Sequence, residues 1–426
     1  MKSLKKLLIP ALAVMTLATA CNDKKSNPTP TPTPGTLANG STLEGEITSN
    51  TTLSAGNTYT LKGGVHVKSG ATLTIEKGVT VKSDANEPAT AYLLIEPGAK
   101  INAVGTATEP IVFTSGKATP AVQDWGGIIV CGKAPINVTG GQNASEMGAG
   151  VTYGGTDAAD NSGTIQYVRV EYTGKKQNQT KEHNGFTFEG VGSGTTVDHI
   201  AVYKGADDGI EFFGGTVNVK YFFAYGAQDD CIDWTYGWTG SMQYAVAVQA
   251  DDVADRGFEG DNNGSNNTLT PYSSPKIANV TLVGSLIAGT DDGNGGLATG
   301  KTRAMKLREG TKGMIYNVVA YNFSSGIECQ HDQSLANMND GSLVIKGLHL
   351  ENASHFKYAP STGSYTGAKP FETEASNATA AAGTPSFISG KYVGTTASTV
   401  NASAIGLESA QFKGATATAW GTWTRM

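Results

Sequence analysis

A repeat of 22 residues constrains the fold of this chain more than any other feature. Val202–Phe212 reads Val-Tyr-Lys-Gly-Ala-Asp-Asp-Gly-Ile-Glu-Phe, and Ala224–Trp234 reads Ala-Tyr-Gly-Ala-Gln-Asp-Asp-Cys-Ile-Asp-Trp. Degenerate copies occur at Asp255–Glu259 and, behind Val318–Tyr321, at Ser324–Glu328. A period in the twenties indicates one supersecondary unit that is stacked repeatedly along an axis.

Short strands joined by glycine corners make up the repeated unit. Gly70, Gly78 and Gly98 stand at corners of one form, and alternating runs such as Leu73–Ile75 and Val79–Val81 follow them. The 55 Gly residues are nearly twice the usual share of about 7%, and no helical period appears between the corners. Helical repeats are therefore excluded, and the missing Leu/Asn signature excludes leucine-rich repeats.

A coil of 22 residues with three strands and three corners resembles the right-handed parallel β-helix. The resemblance implies an all-β fold of roughly 15 rungs, stacked by parallel hydrogen bonds around inward apolar columns. We predict one such solenoid domain over residues 42–426, less regular from about residue 337. Trp420 and Trp423 are expected to close one end, because an open end exposes unpaired strand edges.

The first 41 residues are typical of an export signal followed by a stalk. Three Lys precede an apolar run that ends in small residues before Cys21, which predicts a signal peptide over residues 1–20. That run of about 14 apolar residues is shorter than the roughly 20 that a bilayer-spanning helix needs. Alternating Pro and Thr then predict a semi-rigid stalk within residues 21–41.

The end of the signal peptide is similar to the lipobox of bacterial lipoproteins, in which Cys21 becomes the acylated first residue. Together with Asp124–Ile128, Val168–Tyr172 and the acidic rungs, it resembles a set of exported β-helix lipoproteins common in Bacteroidota. The resemblance implies anchoring to the outer membrane through acylated Cys21, with the lipid bilayer as a partner, and exposure at the cell surface. It implies little chemistry, because the function of that family is largely undefined. The net charge of −6 provides no basic surface, which excludes nucleic acid as a partner.

The remaining cysteines and the isolated histidines suggest no site. Cys131, Cys231 and Cys329 are too few and too scattered for a disulfide framework, and no Cys/His cluster has zinc spacing. We expect buried structural thiols. His183 and His331 have no ligand partner at a recognisable spacing, so we expect ordinary surface or loop residues.

Carboxylates recur at equal positions of successive repeats. The three sets are Asp207, Asp208 and Glu211, then Asp229, Asp230 and Asp233, then Asp255, Glu259 and Asp261. Because neighbouring rungs are about 4.8 Å apart, the sets are predicted to form a column of strongly interacting charges. Bound Ca²⁺, shifted pKa values or neighbouring Arg and Lys can neutralise such a column.

Calcium is the one cofactor that these residues suggest. Asp207, Asp261 and Asp291 are the candidate ligands, the last two in oxygen-rich loops. Neither loop has the EF-hand spacing with its closing Glu, so plain hydrated turns are the alternative.

Two acidic turns are similar to motifs of polygalacturonase-type glycoside hydrolases. Asp208-Gly209 resembles the first motif of that family, and Asp229-Asp230-Cys231-Ile232 resembles the second. The resemblance implies that Asp229 or Asp230 protonates the leaving oxygen while Asp208 activates water. The histidine motif of that family is missing at its expected place, and Asp turns also serve as ordinary β-helix corners.

A binding face on the same rungs is the interpretation that we prefer. Acids that repeat so regularly exceed what one catalytic centre requires, and aromatic rings beside carboxylates suit a glycan or a surface protein. Phe212 is expected in the core, whereas Tyr236 and Trp238 are expected outside. The predicted ligand-binding residues are Glu211, Asp233, Tyr236, Trp238, Glu259, Arg303 and Lys306. The alternatives are a polysaccharide-cleaving enzyme, including a Ca²⁺-dependent lyase with a basic residue of Arg303–Arg308 as base, and a structural adhesin shaft.

Overall fold

The β-helix fold is confirmed by the computed structural model, which describes residues 35–425 except 87, 149, 179–180, 286–301, 353 and 417–419. Within this part of the chain, 26 strands form one continuous parallel sheet that winds into a right-handed β-helix. The first strand lies at Gly35–Leu37, so the solenoid extends beyond the predicted boundary at residue 42. The predicted lipidation site at Cys21 and the loop at Asp291 lie outside the described residues.

The described strands are mostly three to six residues long, and the longest ones bend at a corner. Their bounds are β1 Gly35–Leu37, β2 Thr42–Ile47, β3 Thr51–Leu53, β4 Thr58–Val67, β5 Thr72–Ile75, β6 Thr80–Ser83, β7 Tyr92–Ile95, β8 Lys100–Val104, β9 Ile111–Thr114, β10 Ile128–Cys131, β11 Asn143–Ala144, β12 Thr152–Tyr153, β13 Gly163–Thr173, β14 Phe186–Glu189, β15 Thr196–Gly205, β16 Ile210–Phe213, β17 Asn218–Ala227, β18 Ile232–Thr235, β19 Ser241–Gln249, β20 Arg256–Gly260, β21 Lys276–Val283, β22 Arg303–Leu307, β23 Gly313–Tyr321, β24 Ser325–Gln330, β25 Leu343–Lys346, β26 His349–Glu351, β27 Phe356–Ala359, β28 Ala378–Ala380, β29 Thr396–Ala397 and β30 Phe412–Lys413.

Three faces run along the solenoid. The first face contains β1, β3, β5, β8, the N-terminal halves of the bent strands from β13 to β23, and β25. The second face contains β6, β9, the C-terminal halves of those strands, β26 and β28. The third face contains β7, β10, β14, β16, β18, β20, β22, β24 and β27.

Inward side chains of the third face form apolar columns in register. Phe188 pairs with Phe212 and Phe212 with Trp234, and all three are fully buried, as predicted for Phe212. Trp234 is followed in the column by Gly260. A Cβ atom at Gly260 would lie 2.2 Å from the Trp234 ring, so the large indole requires glycine on the next rung.

A stack of rings marks the corner between the first and second faces. Tyr167, His199, Tyr221 and Tyr244 each adopt a positive φ between 50° and 65°, which turns the chain by one residue. The His199 ring lies 4.3 Å from the rings of both Tyr167 and Tyr221. Ring stacking thus repays a backbone conformation that non-glycine residues rarely adopt.

The C-terminal segment covers the outside of the second face, and the prediction that its tryptophans close one end is wrong. Trp420 packs on Phe223 at a ring distance of 5.3 Å, and Trp423 packs on His199 at 5.4 Å. These positions lie midway along the solenoid. The second face carries outward apolar residues such as Val246, which need a cover as much as the ends do.

The less regular C-terminal part matches its prediction. It contains two short helices, α1 (Asp332–Asn339) and α2 (Pro370–Thr373), and the antiparallel pair β29 and β30. None of the helices in the described residues is long and apolar enough to cross a membrane. Cys131, Cys231 and Cys329 are unpaired and buried, as expected.

Candidate functional site

Outward side chains of the third face stand above one another in register. Glu211 of β16 pairs with Asp233 of β18, and Asp233 pairs with Glu259 of β20. The predicted stacking of residues 22 positions apart is therefore confirmed. From rung to rung, the position is occupied by Thr187, Glu211, Asp233, Glu259, Lys306, Glu328 and Lys357.

The corner before each strand adds a second set of acids. Oδ1 of Asp208 accepts a hydrogen bond of 2.9 Å from the backbone N–H of Asp230, on the next rung. This contact is how an Asp turn caps its neighbour, so the residues that resemble a hydrolase motif have a structural role here. We call the corner and strand acids of these two rungs the acidic column: Asp207, Asp208, Glu211, Asp229, Asp230 and Asp233.

Carboxylate oxygens of the acidic column lie close enough to share an ion. In one group, single oxygen atoms of Asp208, Glu211 and Asp233 all lie within 4.8 Å of one another. In a second group, the same holds for Asp207, Asp208 and Asp229. Carboxylates at such separations can bind one cation between them, since Ca²⁺ takes oxygen ligands at about 2.3–2.6 Å.

Basic side chains leave most of the acidic column uncompensated. Within the described residues, Asp230 is its one member in an ion pair, with Nη1 of Arg256 at 3.4 Å. Glu211 accepts a hydrogen bond of 2.6 Å from Nδ2 of Asn184, which carries no charge. Oδ1 of Asp230 and Oδ1 of Asp233 are buried and have no hydrogen-bond partner among the described residues. Oxygen atoms in that state indicate an absent ligand, because unpaired buried carboxylates are costly.

Burial and mutual repulsion raise the pKa values of the acidic column. Burial raises the pKa of Asp208 well above its ordinary value, and the carboxylates of Asp207 and Asp230 raise it further. Burial also raises the pKa of Asp207 to about 7, with a contribution from Glu182. Burial, Glu146 and Asp233 together raise the pKa of Glu211. A bound cation would lower all of these values, because it stabilises the charged forms.

A basic cluster follows on the next rungs of the same face and consists of Arg256, Arg303, Lys306 and Arg308. Nη1 of Arg256 lies 2.7 Å from Asp255 and 3.2 Å from Glu259. Nε of Arg308 donates to Asp261 at 2.8 Å. These guanidinium groups are held in place by carboxylates, so the Asp261 candidate for metal binding is engaged by a cation of the protein itself.

The other predicted ligand residues belong to the same network. Nζ of Lys306 lies 3.5 Å from Glu259, and Arg303 pairs with Glu328. Glu259, Arg303 and Lys306 are thus brought together, next to the acidic column and in a different electrostatic state. On this face an uncompensated acidic segment adjoins a compensated basic one.

A wall beside the acidic column contains acids that the sequence did not single out. Glu189 of β14 is fully buried and accepts hydrogen bonds from Sγ of Cys131 at 3.0 Å and from the backbone N–H of Glu146 at 2.8 Å. Burial, Asp207 and Glu189 raise the pKa of Glu146 to about 8. Glu146 precedes β14 by some forty residues of irregular chain, so no spacing in the repeat signals its proximity.

The two rings predicted outside the core have different positions. Tyr236 is partly exposed and lies beside Phe213 at a ring distance of 6.0 Å. The prediction for Trp238 is wrong, because its indole is fully buried and stacks on Phe212 at 3.9 Å. Its Nε1 donates to the backbone oxygen of Val217 at 3.0 Å, which satisfies the one polar atom of the ring. Trp238 therefore belongs to the core and cannot stack on a ligand.

His183 also departs from its prediction as a surface or loop residue. It is 1% exposed, stacks on Tyr92 at 5.1 Å, and has a pKa that burial lowers to about 4. His331 is half-buried and accepts a hydrogen bond from the backbone N–H of Glu309 through Nδ1. Neither histidine joins the acidic column.

Arg256 is the member of the site that the repeat itself could have identified. It occupies the place in its copy that Asp208 and Asp230 occupy in theirs, since Ile210, Ile232 and Phe258 pair in register. An Arg at an acidic position of a repeat is the signal of a neutralising partner.

Comparison with known proteins agrees with this geometry. A family model described as a pectate-lyase-like β-helix domain matches residues 45–392. No curated protein and no solved structure matches the chain.

Proposed function

Because the chain belongs to the family of pectate-lyase-like β-helix domains, we propose that its third face binds a polysaccharide with the help of Ca²⁺ held by the acidic column. One observation carries the proposal. Oxygen atoms of Asp208, Glu211 and Asp233 lie within 4.8 Å of one another, and none of the three residues has an ion-pair partner among the described residues. Oxygen-only ligands with several negative charges suit Ca²⁺ better than softer metals.

An acidic glycan is the ligand class that best suits this face. A Ca²⁺ ion with open coordination positions can bridge the protein carboxylates and a carboxylate of the ligand. The basic cluster then lies one rung further along the axis, where Arg256 follows Asp230 in register with Asp208. Guanidinium groups bind carboxylates through paired hydrogen bonds, so a polyuronate lying along the axis would meet both charges in turn.

Cleavage of the glycan is the second candidate, and Arg303 favours it. Burial lowers the pKa of Arg303, which is the direction that a proton-abstracting base requires. Its pairing with Glu328 opposes this role, since the carboxylate stabilises the charged guanidinium. We therefore retain binding as the principal function and β-elimination as the alternative.

Titration of the full chain with Ca²⁺, followed by retention on immobilised polygalacturonate, tests the proposal. We expect Ca²⁺-dependent retention that EDTA abolishes and that the double variant Glu211→Gln, Asp233→Asn loses. Glu44→Gln is the matched control, because Glu44 is an exposed acid of the N-terminal rungs. Ultraviolet-absorbing unsaturated products that disappear in Arg303→Lys would establish the lyase. Absence of Ca²⁺ binding would refute the proposal and leave the shaft function.

The membrane anchor is proposed on the sequence alone. We expect acylation of Cys21, with the stalk of residues 21–41 carrying the β-helix away from the outer membrane at the cell surface. Metabolic labelling with a palmitate analogue should mark the wild type and not Cys21→Ala. Labelling of both proteins, or of neither, would contradict this anchor. Protease accessibility on intact cells would distinguish surface exposure from the inner leaflet.

A further inference from the structure

A pocket of about 540 Å³ opens at the end of the second-face strands, and its lining contains no member of the acidic column. Its apolar lining comes from three neighbouring rungs, through Tyr225 of β17, Val248 of β19 and Val283 of β21. These three residues pair in register, so they form one continuous surface. Tyr392, from the C-terminal segment, adds a second ring to the lining.

Aromatic rings give this pocket a flat apolar wall. The Tyr225 ring stacks between Tyr203, at 5.7 Å, and Tyr392, at 6.1 Å. Tyr225, Tyr203 and Tyr392 all remain partly exposed rather than sealed in the core. Partly exposed, preoriented rings are suited to stack on the apolar face of a ligand.

A buried amide faces this pocket without a partner. The side chain of Gln249, at the end of β19, lines the pocket and is 4% exposed. Neither its Nε2 nor its Oε1 atom has a hydrogen-bond partner among the described residues, and the same is true of Oγ of Ser285 at the pocket edge. An unsatisfied buried amide costs about 1–3 kcal/mol, so it indicates a ligand that supplies both an acceptor and a donor.

We propose that this pocket binds one uncharged sugar unit of a glycan. A pyranose has an apolar face that suits Tyr225 and adjacent hydroxyl or acetamido groups that suit the paired donor and acceptor of Gln249. At the rim, Gln228 donates to both carboxylate oxygens of Asp252, at 3.0 and 2.9 Å, and so holds further polar groups in position. Lys204 and the exposed acids of the rim have opposite charges, which favours no charged ligand.

The pocket does not depend on the acidic column or on Ca²⁺, so the two sites are testable separately. Two sites of different chemistry on one rigid solenoid would bind separate units of a long glycan and raise its avidity. The first site would select a carboxylate, and the pocket would select an uncharged ring.

Saturation-transfer NMR and calorimetry on the full chain test this inference. The probes are neutral oligosaccharides of glucose, galactose, mannose, xylose and N-acetylglucosamine, with oligogalacturonate as the charged comparison. We expect at least one neutral probe to bind equally well with Ca²⁺ or EDTA. Gln249→Leu and Tyr225→Ala should each weaken it at least tenfold, whereas Tyr225→Phe should retain it. The same substitution at the exposed Gln142 is the matched control.

Several results would overturn the inference. They are binding of none of the neutral probes, binding that Gln249→Leu leaves intact, and binding that EDTA abolishes. A crystal structure of the ligand-free protein in which the chain itself satisfies the Gln249 amide would do so as well. Because Gln249→Leu removes two unsatisfied atoms, its melting temperature without ligand should not fall, which separates lost binding from lost folding.

Discussion

Replacing Asp207 by Asn is expected to stabilise the metal-free protein at neutral pH. Burial raises the pKa of Asp207 from 3.8 to about 7, so the folded protein resists its ionisation. At about 1.4 kcal/mol per pKa unit, this difference sets an upper limit of about 4 kcal/mol. Asp207 keeps some contact with solvent, which screens its charge, and we therefore expect about 1–2 kcal/mol.

The pH dependence of this effect has a defined sign. A carboxyl group with a raised folded pKa contributes its stability below its unfolded pKa and loses it as the pH rises through the folded value. The advantage of Asp207→Asn over the wild type should therefore grow between about pH 4 and pH 7 and stay constant above it. For a domain of roughly 390 residues, 1 kcal/mol corresponds to about 1.2 °C, so a gain of about 1–3 °C is expected at pH 8.

Calcium should have the opposite effect on the two proteins. At a concentration 100-fold above Kd it stabilises the wild type by about 2.7 kcal/mol, or about 3 °C, and Asp207→Asn by less because one ligand charge is gone. Differential scanning calorimetry from pH 4 to pH 8, with Ca²⁺ or EDTA, measures both effects. Asp157→Asn is the matched control, since Asp157 is exposed. A variant that melts no higher than the wild type at pH 8 in EDTA would refute the electrostatic reasoning.

Three further substitutions test the packing around the site. Trp238→Ala empties the space beside Phe212 and should cost about 3–5 kcal/mol in urea unfolding, whereas an unchanged midpoint would mean an exposed indole. Gly260→Ala forces a Cβ against Trp234 and should lower the melting temperature by at least the equivalent of about 1–3 kcal/mol, and tolerance would disprove the register. Arg256→Met strands the charges of Asp255 and Glu259 and should cost about 3–5 kcal/mol at pH 7 but much less at pH 4, and equal losses at both would show that packing dominates.

The repeat made the fold and the vertical order of the site predictable. In a parallel solenoid each coil hydrogen-bonds to the next without a register shift, so a 22-residue period places Glu211 directly below Asp233. The same arithmetic places Arg256 after Asp230, although an irregular copy of the motif conceals it. What a period can predict is which residues share a column.

The features that the sequence could not predict all depend on chain outside the period. Glu146 reaches the acidic column from an insertion between β10 and β13, and Trp420 reaches the second face from a segment that runs back along the solenoid. Trp238 follows the motif in a glycine-flanked turn, which resembles an exposed loop until its contact with Phe212 is known. Burial of such residues is decided by long-range packing, about which local spacing contains no information.

The third face itself indicates that the acidic column is more than a structural consequence of the repeat. Beyond it, the outward position alternates in sign through Glu259, Lys306, Glu328 and Lys357, and each neighbouring pair is in register. Nζ of Lys357 lies 2.8 Å from Glu328, so this fold readily neutralises a stacked carboxylate with one lysine on the next rung. The same solution was open to the chain beside Glu211, where it has Thr187 on one side and Asp233 on the other. Two rungs that keep their charges unpaired, within a face that pairs them elsewhere, give up stability that a single substitution would restore, and a cation supplied from outside is the partner that accounts for it.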